Sequence, residues 1–300
     1  MYALTILTLL AAQALSKPLK CRSIIRCPLV FDGRVPSNAL VADFDVASGG
    51  GWNPFNPSYV KGANLLWSDI IVLPDTGPSR FDKDSDTRAL EVTISDESIF
   101  MNQRGFRRAG LQFSKDANNG SPANVGVKTL HFSVKQDLER PLNLTHEYLN
   151  VWHETAAYDA NQFNFQVGTI IGQTGLAEDT FKLLDRNNKQ LWSTPMEANG
   201  SWQNFALTLD FDQKENAREI LTCLSTIQVW YSAEDAPLEK QGEAISANLA
   251  GNGQYQIGIL KKPTGTDDVV NSGYQSSNLD EGQIYGGIFI EDSTNGCVST

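Results

Sequence analysis

The chain has 300 residues, with 24 Lys or Arg against 35 Asp or Glu, for a net charge of -11. That excess argues against nucleic acid or an anionic membrane as partner and disfavours a polyuronate substrate, whereas a neutral polymer meets no such barrier. At this length, with 41% apolar residues, the chain can bury one or two sizeable cores.

The first sixteen residues, "MYALTILTLLAAQALS", carry no charged side chain, are largely apolar and end in small residues. This is the pattern of a secretory signal peptide, which leaves residues 17–300 as a single soluble, extracellular domain. No later stretch reaches the roughly 18–20 uninterrupted apolar residues of a membrane span. Three sequons, Asn119-Gly-Ser121, Asn143-Leu-Thr145 and Asn199-Gly-Ser201, agree with export and mark expected glycosylation sites. The four cysteines, Cys21, Cys27, Cys223 and Cys297, allow three pairings. Cys27 precedes the first strand-like run and Cys297 lies near the end of the chain, so a Cys27–Cys297 staple is expected in an oxidising compartment. The pairing of Cys21 and Cys223 stays open. No Cys/His spacing suits a metal, and neither a metal nor an organic cofactor is expected.

In chain order, "GGGWNPFNPSYVKG" comes first and sets Trp52, Phe55 and Tyr59 in a loop rich in Gly and Pro. These rings form either a stacking platform at a cleft or a plug closing the fold. "LEVTISDE" reads as a strand whose polar face Glu97 could continue. In "RRAGLQF", burial of Leu111 and Phe113 turns Arg108, Gly110 and Gln112 the other way. "VKTLHFSVK", "WQNFALTLDF", "TIQVWYS" and "GQYQIGIL" all alternate with period two, and Asn, Gly, Pro and Asp cluster between the runs. "LLDRNNKQLW" predicts a hairpin turning at Asn187-Asn188. One helical pattern interrupts them, over residues 212–225, where Asp212 and Glu215 are spaced as a capping box. About a dozen strands, no linker and no internal repeat predict an all-β fold: an antiparallel β-jelly-roll sandwich with a concave carbohydrate-binding face.

The chemistry narrows by elimination. His153-Glu154 begins a zincin-like pattern, but Ala157 stands where the second histidine ligand would be. There is no Gly-x-Ser-x-Gly elbow and no phosphate loop. If residues 148–154 form a regular strand, Tyr148, Asn150, Trp152 and Glu154 share one face and Leu149, Val151 and His153 the other. His153 then enters the core, and Glu154 is left beside a Trp and an amide as a candidate acid/base. In "NQFNFQV", Phe163, Phe165 and Val167 face inward, so Gln162, Asn164 and Gln166 form a polar row. Amides serve sugar hydroxyls as donors and acceptors, and ring faces stack on pyranoses. Trp152, Asn150, Gln162, Asn164, Gln166, Arg108, Gln112 and Trp52 are therefore the candidate substrate-binding residues.

The segments "FDGRVPSN", "WNPFNPSYVKG", "GVKTLHFSVKQD", "LNLTHEYLNVWHE", "NQFNFQVGTIIGQ", "QYQIGILKKPTGT" and "GQIYGGIFIEDS" resemble fungal glycoside hydrolase family 131 from about Cys27 to Cys297. The resemblance implies a β-jelly roll that hydrolyses β-1,3, β-1,6 and β-1,4 glucans with inversion and without a cofactor. Glycoside hydrolysis of this kind needs two carboxyl groups. Glu154 matches the family segment and is one candidate. Many members read Arg-Arg-Ala-Glu-Leu where this chain has Arg107-Arg108-Ala109-Gly110-Leu111, so the partner is open, with Glu97 and Glu147 as candidates. The expected partner molecule is a β-glucan and the expected state a monomer. A non-catalytic glucan-binding protein of the same fold is the alternative. A lyase using Arg108 and His131 is a third, which the acidic net charge disfavours.

Overall fold

The computed structural model describes residues 24–211 and 225–300. The signal-peptide segment, Cys21, Cys223 and all but the last residue of the expected helix lie outside the described residues. Among those described, the strands in chain order are β1 (Leu29–Asp32), β2 (Val35–Pro36), β3 (Ile71–Val72), β4 (Thr87–Arg88), β5 (Leu90–Ser95), β6 (Arg107–Leu111), β7 (Val127–Gln136), β8 (Glu147–Glu154) and β9 (Asn161–Gly168). There follow β10 (Thr180–Asp185), β11 (Gln190–Pro195), β12 (Gln203–Asp210), β13 (Ser225–Ala233), β14 (Glu239–Lys240), β15 (Ile245–Ala247), β16 (Gln254–Lys261) and β17 (Asp280–Asp292).

Two antiparallel sheets carry almost all of them. One runs β14-β13-β12-β7-β17-β5-β3, with β1 on β17 and β15 on β13; the other runs β11-β10-β9-β8-β16-β6. Strands remote in sequence thus lie side by side, β7 with β17 and β8 with β16, as a jelly roll requires.

The alternation in the sequence is what holds the sheets face to face. Leu130, Phe132 and Val134 of β7 sit opposite Leu207, Phe205 and Gln203 of β12 in register, and the phenylalanine rings stack at 5.4 Å. From the other sheet Phe165 meets Phe132 edge-on at 5.0 Å. Each such buried ring stabilises the fold by about 1.5–3 kcal/mol. The β10–β11 hairpin turns where the sequence predicts, with Asn188 at φ 60. Cys27 and Cys297 are joined by a disulfide across 270 residues, tying β1 and the segment after β17 together.

The register of the central strands of the six-stranded sheet slips at three places, one of them between β8 and β9 at His153 and Glu154, and two bulges decide the facing of β8 and β16. In β8 the register against β9 slips between Leu149 and Val151, and in β16 the register against β8 slips between Ile257 and Leu260. An extra residue reverses the facing of all that follows on one side. Gly258 makes the second bulge possible, because a Cβ there would stand 2.1 Å from the Ala109 carbonyl oxygen.

Candidate active site

The bulge at Asn150 corrects the face assignment along β8. Tyr148, Val151 and His153 point into the main core, and Leu149 and Trp152 pack on the outer side with Phe106 and Leu260. Asn150, expected on the outer face, points between the sheets: it donates to Gln283 Oε1 at 3.3 Å, and its carbonyl accepts from Tyr285 Oη at 3.0 Å. Glu154 remains on the outer face with Trp152. His153 is buried, donates to Asn124 Oδ1 at 2.9 Å, and is held near a pKa of about 3 by desolvation, so it stays neutral.

Glu154 opens into a cavity of about 630 Å³ lined by Asn56, Tyr59, Val60, Phe100, Met101, Gln103, Arg108, Gln112, Glu154, Tyr158, Gln254 and Gln256. Its floor is the outer face of β6, β16 and the end of β8, where Gln112, Gln256 and Trp152 form one row across the sheet and Gln254 pairs with Glu154 in the next. Gln256 Nε2 donates to Glu154 Oε2 at 2.6 Å, and Gln256 Oε1 accepts from Arg108 Nη2 at 2.8 Å. Arg108 Nη1 donates in turn to Gln103 Oε1 at 3.0 Å. The guanidinium lies over both Phe100 and Trp152, 5.6 and 5.5 Å from the ring centroids. Burial lowers the Arg108 pKa to about 10, against the pull of Glu154, so it is cationic at neutral pH.

These contacts fix one geometry. Arg108 accepts no bond, so the Gln256 atom facing it is the carbonyl, and the amide nitrogen is aimed at Glu154. One Glu154 oxygen is thereby held and the other is left for a ligand. Trp152, only 1% exposed, supports Arg108 from beneath and offers no face to a sugar. Gly110 lies on the same floor: a Cβ there would meet Gln256 Oε1 at 3.1 Å and the Trp152 ring at 3.3 Å. Gln256 has leaned over the glycine.

Other expected residues lie elsewhere. Glu147 starts β8, about 23 Å from Glu154 along the strand. It pairs with Lys262 Nζ at 2.5 Å, accepts from Ile171 N at 2.8 Å and is buried. Glu97 is exposed on the turn after β5 and does not line the cavity. The amide row of β9 is taken up internally. Gln162 donates to Asn252 O at 2.8 Å, Asn164 accepts from Asn161 at 2.7 Å, and Gln166 bonds Glu147 at 3.4 Å. The segment after β9 crosses the outside of that strand, since Ile171 N reaches Glu147 and Gln173 reaches Asn188 O at 2.6 Å. Trp52 lines a separate hollow of about 250 Å³ beside Asp32 and Lys115, with Nε1 bonded to Asp43 at 3.1 Å. In the same loop Phe55 is a core plug and Tyr59 lies at the cavity rim.

The cavity's Gln254, Gln256, Phe100, Met101, Gln103 and Tyr158 escaped the sequence reading. For the two glutamines a signal existed: "GQYQIGIL" alternates them with Tyr255 and Ile257, which are core residues. His131 belongs to the other sheet, where Nε2 bonds Glu291 Oε1 at 2.9 Å, so it shares no site with Arg108. Among the cavity-lining residues Glu154 is the single carboxylate.

The comparisons with known proteins agree on the family. No curated protein matches the chain in sequence. The β-glucanase catalytic domain of Podospora anserina, from glycoside hydrolase family 131, is similar at a TM-score of 0.67 and 20% identity, over 88% of this chain and 96% of that one. The catalytic domain of the family 131 protein from Coprinopsis cinerea is similar at a TM-score of 0.65 and 22% identity, over 88% and 94%. At these identities the likeness establishes the jelly-roll fold. The glycoside hydrolase 131 catalytic N-terminal domain, as a family pattern, matches residues 29–296, nearly all of both sheets. The chain therefore belongs to glycoside hydrolase family 131 and is by that membership a glycoside hydrolase.

Proposed function

We propose that the protein is a secreted β-glucanase, active on β-1,3, β-1,6 or β-1,4 linkages, in which Glu154 performs the acid/base step. The observation that carries this is the clamp on Glu154: one carboxylate oxygen held by Gln256 at 2.6 Å and the other directed into a polar, aromatic-rimmed cavity. In an inverting hydrolysis one carboxyl protonates the leaving oxygen and a second draws a proton from the attacking water, with the two about 6.5–9.5 Å apart. Glu154 is suited to the first role, because it lies at the cavity wall with a fixed orientation. The cavity amides Gln112 and Gln254 are suited to hold sugar hydroxyls, while Arg108 and Gln256, buried and bonded to each other, keep Glu154 in position.

Replacement of Glu154 by Gln keeps the shape and the ability to bind while removing the proton. The expected result is a loss of at least about 100-fold in reducing-sugar release from laminarin, the scale of a lost general acid. Melting temperature and glucan binding are expected to stay near those of the parent. Unchanged turnover would remove Glu154 from the mechanism.

The single carboxylate also favours a second reading: a member of the family that holds glucan and turns it over slowly or not at all. Retention on insoluble glucan with no release of reducing ends by the parent protein would select it. Export is supported by the disulfide and by sequon asparagines Asn119, Asn143 and Asn199, all of which are exposed.

A further inference from the structure

We propose that Tyr59 and Tyr158 form a two-ended aromatic clamp that holds two separated sugar rings of one glucan chain across the cavity floor that Glu154 borders. The inference rests on the glucan reading above and adds to it which residues set the length of chain recognised.

Both rings line the cavity, and both are exposed, Tyr59 at 53% and Tyr158 at 66%. An exposed ring beside a polar floor offers a flat apolar face on which a pyranose can stack while its hydroxyls meet the floor. Their positions are opposed. Tyr59 lies on the segment that bonds to β6 through Val60 and Gly110, outside the edge of the sheet. Tyr158 lies on the turn that leaves β8 after Glu154. From the Tyr59 segment across β6 and β16 to β8 is three strand spacings, about 14 Å. Between them run the amide floor and Arg108.

Each ring is held in place. Tyr59 stands edge-on to Phe100 at 6.4 Å and 79°. Tyr158 sits at φ 57, in the left-handed region that a bulky residue adopts only when its surroundings impose it. Here its backbone N–H donates to Thr155 O at 2.9 Å. The Asn118 amide donates to Tyr158 Oη at 3.1 Å and to Ala156 O at 3.0 Å. Preorganised rings bind a sugar face without a further ordering cost.

A disaccharide is too short to lie on both rings, whereas a longer chain reaches both and crosses the floor beside Glu154. The test is binding of the full chain to laminari- and cello-oligosaccharides from the disaccharide to the hexasaccharide, together with electrophoretic retention by soluble β-glucan. The expected result is a steep rise in affinity with length for the parent. Tyr158→Ala and Tyr59→Ala should each weaken the hexasaccharide about tenfold, which corresponds to about 1.4 kcal/mol. The double variant should lose the rise, and Tyr158→Phe, which keeps the ring and loses only the bond from Asn118, should weaken the hexasaccharide less than Tyr158→Ala does. Parent-like hexasaccharide affinity in both alanine variants overturns the clamp while leaving the glucan reading intact. A parent that binds no glucan of any length sinks both.

Discussion

At the scale of the residue, the site turns on a pair that neither composition nor periodicity reveals: Gly110 and Gln256. The glycine leaves the floor low, and the glutamine folds across it to link Arg108 with Glu154. A neutral amide thus stands between a buried cation and the one carboxylate of the cavity. Gly110→Glu would place a second carboxylate on this floor, two strands from Glu154. The new side chain competes with Gln256 for Arg108, because a guanidinium prefers a carboxylate to an amide. Crowding against Gln256 and Trp152 is expected to lower folding stability by about 1–3 kcal/mol. If a missing carboxylate limits turnover, kcat on β-glucan rises in spite of that loss. A variant that folds, binds glucan and yet turns over no faster than the parent places the water-activating group elsewhere.

At the scale of the element, alternation was legible and its interruption was not. Period two in "VKTLHFSVK" and "NQFNFQV" assigns the core faces of β7 and β9 correctly, and places His153 inside and Glu154 outside. The same rule misplaces Tyr148, Leu149 and Asn150, because it counts through a bulge that only the pairing of β8 with its neighbours defines. Facing the open side of the sheet is also not the same as facing a ligand. Gln162 and Gln166 do alternate away from the core, but the remote loop around Asn252 bonds the first, and Glu147, held by the segment just after β9 through Ile171, bonds the second. The cavity instead collects residues from five separate segments, and no local pattern could have announced that. The bulges carry a prediction of their own. Gly258→Ala drives a methyl into the Ala109 carbonyl, and it cannot relax without parting β16 from β6, the two strands that set Arg108 beside Gln256. A loss of about 2–4 kcal/mol in chemical denaturation is expected, at the upper end for a single substitution. Weaker glucan binding should accompany it even below the unfolding range. A variant as stable as the parent would show that the bulge does not depend on glycine.

At the scale of the whole molecule, the charge of -11 hides several carboxyl groups that folding keeps protonated into mild acid or beyond. Glu91 lies buried on β5. Desolvation first, and then the neighbouring Asp137, push its pKa up to about 8, although Arg140 lies 3.3 Å away. Desolvation likewise lifts Asp116 to about 6 despite its bonds from Ser121 and the Tyr255 N–H, and it raises Asp82. For each of these the folded pKa exceeds the unfolded one, so between the two values the folded state binds more protons. Stability must then fall as pH rises through that window. The contribution of Glu91 is complete below its unfolded pKa, about 4.3, and is gone above about 8. Glu291 acts in the opposite direction. Burial raises its pKa, but His131 and Ser299 outweigh that and hold it below the usual value, so its contribution is lost as pH falls below the ordinary carboxylate range. His131, His146 and His153, whose pKa burial lowers, oppose the raised carboxyls below about pH 6.5, because there the unfolded chain takes up the histidine protons first. The melting temperature is therefore expected to fall from about pH 6.5 to about pH 8, and Glu91→Gln, which keeps the shape without the titrating proton, should flatten that fall. At the alkaline end the variant should melt above the parent, since the parent must there either ionise Glu91 beside Asp137 or hold its proton at a cost. Calorimetry of the two proteins across that range decides it: parallel curves, or a parent that grows more stable toward alkali, would mean that Glu91 does not govern the pH dependence of this fold.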